Sequence, residues 1–127
     1  QQGDTLGARQ VIIATPADRA ASLVLPFLPQ AAEALGKIPY NRVAVVHTGF
    51  PQQTIPHALD GFGFLAPRQA QLALLGSIWA SSLFPGRAPS GHVLLSNFIG
   101  GAHHPEIPTW EPERITQHVL SNLGQAF

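Results

Sequence analysis

The chain has 127 residues, of which 45% are hydrophobic and 11% are charged, and its seven basic and seven acidic side chains cancel. This length fits one domain with a real core and leaves no room for a second full domain. The scattered, balanced charge excludes a nucleic-acid-binding surface, and the lack of cysteine excludes disulfides, thiolate metal sites and thiol catalysis. Because typical chains carry about 25% charged residues, we expect part of this surface to be covered by another domain, a partner or a membrane face.

The N-terminal part of the chain predicts one strand and two short helices. Residues 11–14 form a short apolar run that reads as a buried strand. Asp18 is placed to cap a helix, which the prolines at positions 26 and 29 interrupt. A second helix is predicted over residues 29–35, with Gly36 just past its end.

The rest of the chain predicts four strands and a final helix. Residues 43–50 are β-branched, and residues 61–66, 74–82 and 92–99 follow as strands separated by turn-forming segments. Residues 112–123 form an amphipathic helix, and Gly124 follows its end. The predicted fold class is therefore α+β, an antiparallel β-sheet meander with short helices near the N-terminus and one C-terminal helix.

Catalytic and metal-binding patterns are missing from the sequence. No G-x-S-x-G elbow orders a serine for nucleophilic attack. His103 and His104 are adjacent, and adjacent side chains on an extended chain point to opposite sides, so they do not share one ion. His47 lies inside an apolar strand. It is interpreted either as a core histidine whose ring nitrogens have hydrogen-bond partners or as a polar group of a pocket. We predict neither catalytic residues nor a metal site.

The segment Gly61-Phe62-Gly63-Phe64-Leu65 carries more information. Glycine-rich phosphate cradles lead into a helix, whereas these residues lead into a strand, where glycine often marks close approach of a ligand or backbone. Alternation would place Phe62 and Phe64 on one face of the strand and Gly63 and Leu65 on the other. The second face would suit a large planar apolar ligand, although ordinary core packing requires the same residue types.

Four segments together resemble a known family. They are G-F-G-F-L-A-P at 61–67, L-L-G-S-I at 74–78, S-S-L-F-P-G-R-A-P at 81–89 and I-G-G at 99–101. In this order and spacing they resemble oxygen-dependent protoporphyrinogen oxidase, of the flavin-containing amine oxidase superfamily. The resemblance covers residues 11–101 and is best over 40–101.

The resemblance implies an enzyme that oxidises protoporphyrinogen IX to protoporphyrin IX, passing electrons through FAD to dioxygen. Gly63 and Leu65 match positions that line the substrate pocket, Phe98 matches an apolar pocket position, and Phe62 is expected to support that wall. The resemblance assigns no catalytic residue to this chain, and its cofactor-binding residues are unknown.

The family's other functional segments are missing from this sequence. It contains neither G-x-G-x-x-G, nor the arginine that family members use for a substrate propionate, nor the C-terminal flavin segment. We therefore expect an internal fragment, a single domain over 1–127 that is mostly substrate-binding domain, with residues 11–36 as the handover from the flavin domain. The fragment alone is expected to bind no FAD and to be inactive.

The expected partner is the porphyrinogen substrate, with self-association through uncovered apolar faces and association of the parent with a membrane surface. The expected location is the bacterial cytoplasm or inner membrane. Three alternatives remain open at this point. They are another amine-oxidase-like flavoenzyme such as a carotenoid desaturase, a free-standing binding module for a planar apolar ligand, and a plain interaction domain.

Overall fold

The structure is a computed structural model that describes residues 3–127. The chain divides into two compact units, Gln1–Tyr40 and Asn41–Phe127. The first unit contains two helices, α1 (Ala17–Val24) and α2 (Pro29–Gly36). The backbone N–H of Ala17 donates a hydrogen bond to the Tyr40 hydroxyl at 2.8 Å, which ties the start of α1 to the end of the unit.

The predicted buried strand at residues 11–14 is wrong. These residues are not in a strand, and Val11 and Ile12 are 78% and 92% exposed. A short apolar segment becomes a strand only when a neighbouring strand takes up its backbone hydrogen bonds, and no strand of the described residues pairs with it. Asp18 lies in the first turn of α1 rather than at its N-cap, which is Pro16.

The second unit is built on a four-stranded antiparallel sheet, which confirms the α+β prediction. Its strands are β1 (Val43–Pro51), β2 (Gly63–Leu65), β3 (Leu74–Ile78) and β4 (His92–Gly100). The spatial order is β1-β4-β3-β2, so β2, β3 and β4 form the expected meander and β1 pairs along the remaining edge of β4.

Two boundaries differ from the sequence prediction by more than two residues. The strand predicted over 74–82 ends at Ile78, and a short helix, α3 (Ala80–Leu83), follows it. The change occurs because the Trp79 carbonyl accepts helical hydrogen bonds from the N–H groups of Ser82 and Leu83. The last helix, α4 (Pro112–Ala126), continues through Gly124, where no atom crowds the helix.

One face of the sheet packs against α4 and forms the core. Leu74 of β3, Leu95 and Ile99 of β4, and Val119 of α4 are at most 1% exposed. The stripe of α4 predicted from the sequence is therefore the stripe that the core buries.

A buried asparagine joins three strands of this sheet. Asn97 of β4 is fully buried, and its amide group donates 2.9 Å hydrogen bonds to the Val46 carbonyl and the Thr48 hydroxyl, both on β1. On the other side its side-chain oxygen accepts a 2.8 Å hydrogen bond from the Ser77 hydroxyl of β3. The network satisfies every member, which is the condition under which buried polar groups are tolerated.

Replacing Asn97 with alanine should lower the free energy of unfolding by about 3 kcal/mol, because two hydroxyls and a carbonyl lose their partner inside the core. Urea denaturation followed by circular dichroism measures the change. Asn41→Ala is the matched control, since Asn41 is exposed and should shift stability by less than about 0.5 kcal/mol. Equal midpoints for the two variants would contradict the role given to the network.

Candidate functional site

The face of the sheet opposite the core is open and apolar. Directly paired residues of an antiparallel sheet lie on the same face, so Val45, Phe98, Gly76 and Leu65 form one row across all four strands. This row faces away from the core residues Ile99 and Leu74, which are paired with each other. The register of the strands therefore determines which residues lie on the open face.

A cavity of about 440 Å³ lies on this open face. We call its lining the apolar wall, and its residues are Val43, Phe62, Gly63, Phe64, Leu65, Leu75, Gly76, Ser77, Ile78 and Phe98. The four residues predicted from the sequence as substrate-binding, Gly63, Leu65, Phe98 and Phe62, all belong to it. Their role in binding stays a prediction, but the structure brings the four together.

The predicted alternation is only partly correct. Gly63 and Leu65 share the open face, whereas Phe64 packs against the core, where its ring meets that of Phe127 edge-on at 6.0 Å between centroids. Phe62 does not follow Phe64, because it precedes β2 and remains 66% exposed beside the cavity. Leu65 is 87% exposed. The wall thus presents large apolar side chains to the outside of the unit.

Two glycines keep the wall flat. Gly63 has φ of +147°, and a Cβ at this position would overlap the backbone carbonyl of Ser77. A Cβ at Gly76 would lie 2.5 Å from the Phe64 carbonyl oxygen and 3.2 Å from the Leu65 side chain. The glycines therefore serve the close approach of β2 to β3, and they leave space above the sheet where side chains would otherwise stand.

Sequence reasoning missed Leu75, whose position depends on a β-bulge. Leu74 pairs with Ile99 and Gly76 pairs with Phe98, so Leu75 is an extra residue with no partner on β4. A bulge re-aims side chains relative to simple alternation. Ile78, also missed, could have been found from its spacing two residues after Gly76.

The electrostatics of the wall are simple, because none of its residues carries an ionisable side chain. His47 lies on the same face but does not line the cavity, and its Nδ1 is 3.0 Å from the Ser96 hydroxyl oxygen. It is exposed, so it is not the core histidine considered above. The described residues contain no cluster of three or more potential metal-ligating side chains.

Comparison with known proteins identifies the family. The sequence model of flavin containing amine oxidoreductases matches residues 1–127. The chain belongs to this family. It is 41% identical over 125 residues to a chloroplastic protoporphyrinogen oxidase of Nicotiana tabacum, covering 94% of this chain and 23% of that protein. It is also 41% identical to the chloroplastic enzyme of Oryza sativa subsp. japonica, covering 91% of the chain and 23% of the relative.

A bacterial relative belongs to the same set. The chain is 32% identical to a coproporphyrinogen III oxidase of Bacillus subtilis, covering 98% of the chain and 26% of that protein. The chain thus spans about a quarter of the length of these relatives. The resemblance to protoporphyrinogen oxidase inferred from the four segments is confirmed.

The expected bacterial cytoplasmic or inner-membrane location is wrong. The relatives at 41% identity are named as chloroplastic plant enzymes, which points to a plastid. The expectation chose the bacterial case from the range of compartments in which the family occurs, and compartment is specified by targeting segments rather than by the residues that carry the resemblance.

The flavin that the family name implies does not fit the residues described here. A dinucleotide cradle needs a glycine-rich turn that leads into a helix N-terminus. Gly61-Phe62-Gly63 instead leads into β2, and Gly63 is packed against the backbone of β3. We therefore derive no redox step from these residues.

Replacing Gly63 with alanine should separate β2 from β3, because the new methyl group overlaps the Ser77 carbonyl and φ of +147° is strained for alanine. We expect a loss of about 3 kcal/mol in unfolding free energy and faster amide hydrogen exchange in β2. Gly124→Ala is the control, since its Cβ would meet nothing within 4 Å and alanine favours a helix. Unchanged exchange in β2 would show that the close approach is not required.

Proposed function

We propose that this chain is the substrate-facing part of a flavin-dependent protoporphyrinogen oxidase, which oxidises protoporphyrinogen IX to protoporphyrin IX with dioxygen in porphyrin and haem biosynthesis. The single observation that carries the proposal is the apolar wall, a flat cavity of about 440 Å³ free of ionisable side chains. The similarity to protoporphyrinogen oxidases along most of the chain supports it. Gly63, Leu65, Phe98 and Phe62 would contact the macrocycle.

The wall favours protoporphyrinogen over coproporphyrinogen III, the substrate in the name of the Bacillus subtilis relative. Coproporphyrinogen carries four propionates, whereas protoporphyrinogen carries two and has vinyl groups in place of the others. A carboxylate is strongly disfavoured against an apolar surface that offers it no donor. A wall without charged side chains therefore suits the ring edge that bears the vinyl groups.

The chain's place in the enzyme follows from the same reasoning. Residues 11–36 would connect the flavin domain to the sheet, and residues 41–127 would supply the substrate wall. The flavin, the electron transfer and the residues that hold the cofactor would belong to other parts of the parent protein. The parent would act in a plastid.

The parent's contact with a membrane surface also stays a proposal. Within residues 3–127 no helix has the length and hydropathy to cross a bilayer. Contact made by this part of the parent would use exposed apolar side chains outside the wall, such as Phe27. Co-sedimentation of the parent with vesicles of plastid lipid tests this idea, and a parent that stays entirely in the supernatant would refute it.

Truncation of Phe98 to alanine should weaken porphyrin binding about tenfold, because an aromatic ring that covers the macrocycle is lost. Protoporphyrin IX fluorescence, titrated against the full-length protein that contains this chain, measures the affinity. Oxidation of protoporphyrinogen IX by the wild type is followed in the same assay. Phe84→Ala is the control, since Phe84 is similarly aromatic, is 54% exposed and does not line the wall. A wild-type full-length protein that oxidises no protoporphyrinogen IX would refute the proposed function.

The 127-residue chain alone should bind no flavin, should show no turnover and should self-associate through its open apolar face. Leu65 and Phe62 are largely exposed there, and contiguous apolar surface promotes association. Sedimentation velocity with absorbance detection of protein and of flavin tests self-association and flavin binding in one experiment. A monomer at high concentration would contradict self-association, and flavin absorbance moving with the protein would contradict the lack of flavin.

A further inference from the structure

The loop that leads into β2 is bent at a single residue, Leu59. Its φ is +51°, in the left-handed region that residues other than glycine seldom adopt. Leu59 is nevertheless only 4% exposed and belongs to the core cluster. A bulky residue persists in this conformation only where the surrounding structure holds it there. The contacts of the loop must therefore account for the bend.

The ring of His57 holds the bend from two residues away. Its Nδ1 accepts a 2.9 Å hydrogen bond from the Leu59 backbone N–H. Asparagine and aspartate side chains make the same contact, to a backbone group two residues on, in an Asx-turn. A neutral imidazole accepts at Nδ1 only when its proton is on Nε2, so the contact also fixes the tautomer of His57. His57 thus acts here as a turn-forming side chain.

Trp79 anchors the same loop from the end of β3. Its indole ring lies against the imidazole of His57, with 4.8 Å between the ring centroids, and Trp79 is 7% exposed. The indole also lies close to Gly61, where a Cβ would be 3.2 Å from a carbon of its six-membered ring. The backbone N–H of Trp79 donates a 2.9 Å hydrogen bond to the Phe62 carbonyl. Trp79 therefore contacts the loop along its length, as far as the apolar wall.

We propose that His57 is a positioning residue that determines where Phe62 lies on the apolar wall. The hydrogen bond from Leu59 fixes the bend, and the bend directs the chain across Trp79 to Phe62. Phe62 is 66% exposed, so packing of its own side chain does not hold it in place. His57 does not line the cavity, so it acts on a ligand only through Phe62. The inference rests on the proposed function, in which Phe62 contacts the macrocycle.

Two variants of His57 separate the hydrogen bond from the ring, and both are made in the full-length protein that contains this chain. His57→Asn keeps an acceptor for the Leu59 N–H and removes the ring, whereas His57→Phe keeps a ring against Trp79 and removes the acceptor. His57 is exposed, so neither change opens a cavity in the core. The control is His92→Phe, because His92 is also exposed, has its Nδ1 3.2 Å from the Ser90 carbonyl oxygen and does not line the wall.

His57→Phe should raise both KM for protoporphyrinogen IX and Kd for protoporphyrin IX about fivefold, within the range for the loss of one hydrogen bond. It should leave kcat within about twofold, because the flavin chemistry would lie in other parts of the parent. His57→Asn and His92→Phe should both stay within about twofold of the wild type in these constants. Amide hydrogen exchange over residues 58–63 should be faster in His57→Phe than in either of them.

The decisive comparison repeats His57→Phe in a Phe62→Ala background. Because His57 acts through Phe62, the double variant should bind protoporphyrin IX as Phe62→Ala does, within about 1.5-fold. Equal losses in both backgrounds, no loss in either, or the same loss for His57→Asn as for His57→Phe would overturn the inference and leave the wall intact. A wild type that oxidises no protoporphyrinogen IX would instead refute the proposed function, and hydrogen exchange over residues 58–63 would still decide whether His57 holds the loop.

Discussion

The amide group of Asn97 is the constraint on which the sheet depends. An amide that is fully buried among apolar side chains must find partners, and it finds them on both neighbouring strands, at Val46 and Thr48 on one side and Ser77 on the other. Those contacts exist in one register. A slip of one residue would leave the amide without hydrogen-bond partners. It would also turn every side chain of the slipped strand to the opposite face of the sheet. The composition of the open face is therefore fixed by a polar group on the core face.

One face of the sheet is covered within the unit, and the other is not. The core face is covered by α4, and its apolar side chains are excluded from water. The open face carries side chains as large and as apolar, including Leu65 and Phe98, but no element of the unit covers it. In a family of much longer proteins, a charge-poor chain with one sheet face uncovered is consistent with a ligand or another part of the parent completing the burial.

Much of this arrangement was predictable from the sequence, and the exceptions have physical reasons. Period-two patterns gave β1 and β4 nearly to the residue, and the apolar stripe gave α4. Residues 11–14 were mispredicted because strand formation needs a pairing partner that local pattern does not supply. The end of β3 was missed because the helical bonds to the Trp79 carbonyl are a tertiary outcome. For the site, alternation put Gly63 and Leu65 on one face and the resemblance matched them to the pocket, whereas the bulge at Leu75 leaves no sequence signature.

The bulge in β3 places one side chain at the border of two cavities. Leu75 has no partner across the sheet, and its side chain borders both the flat apolar space and a second cavity of about 440 Å³ that Arg68 and His104 also line. A smaller residue there would merge the two spaces, and a larger one would narrow both. A substitution at position 75 would therefore change the size of both spaces at once, so that neither could be altered there independently of the other.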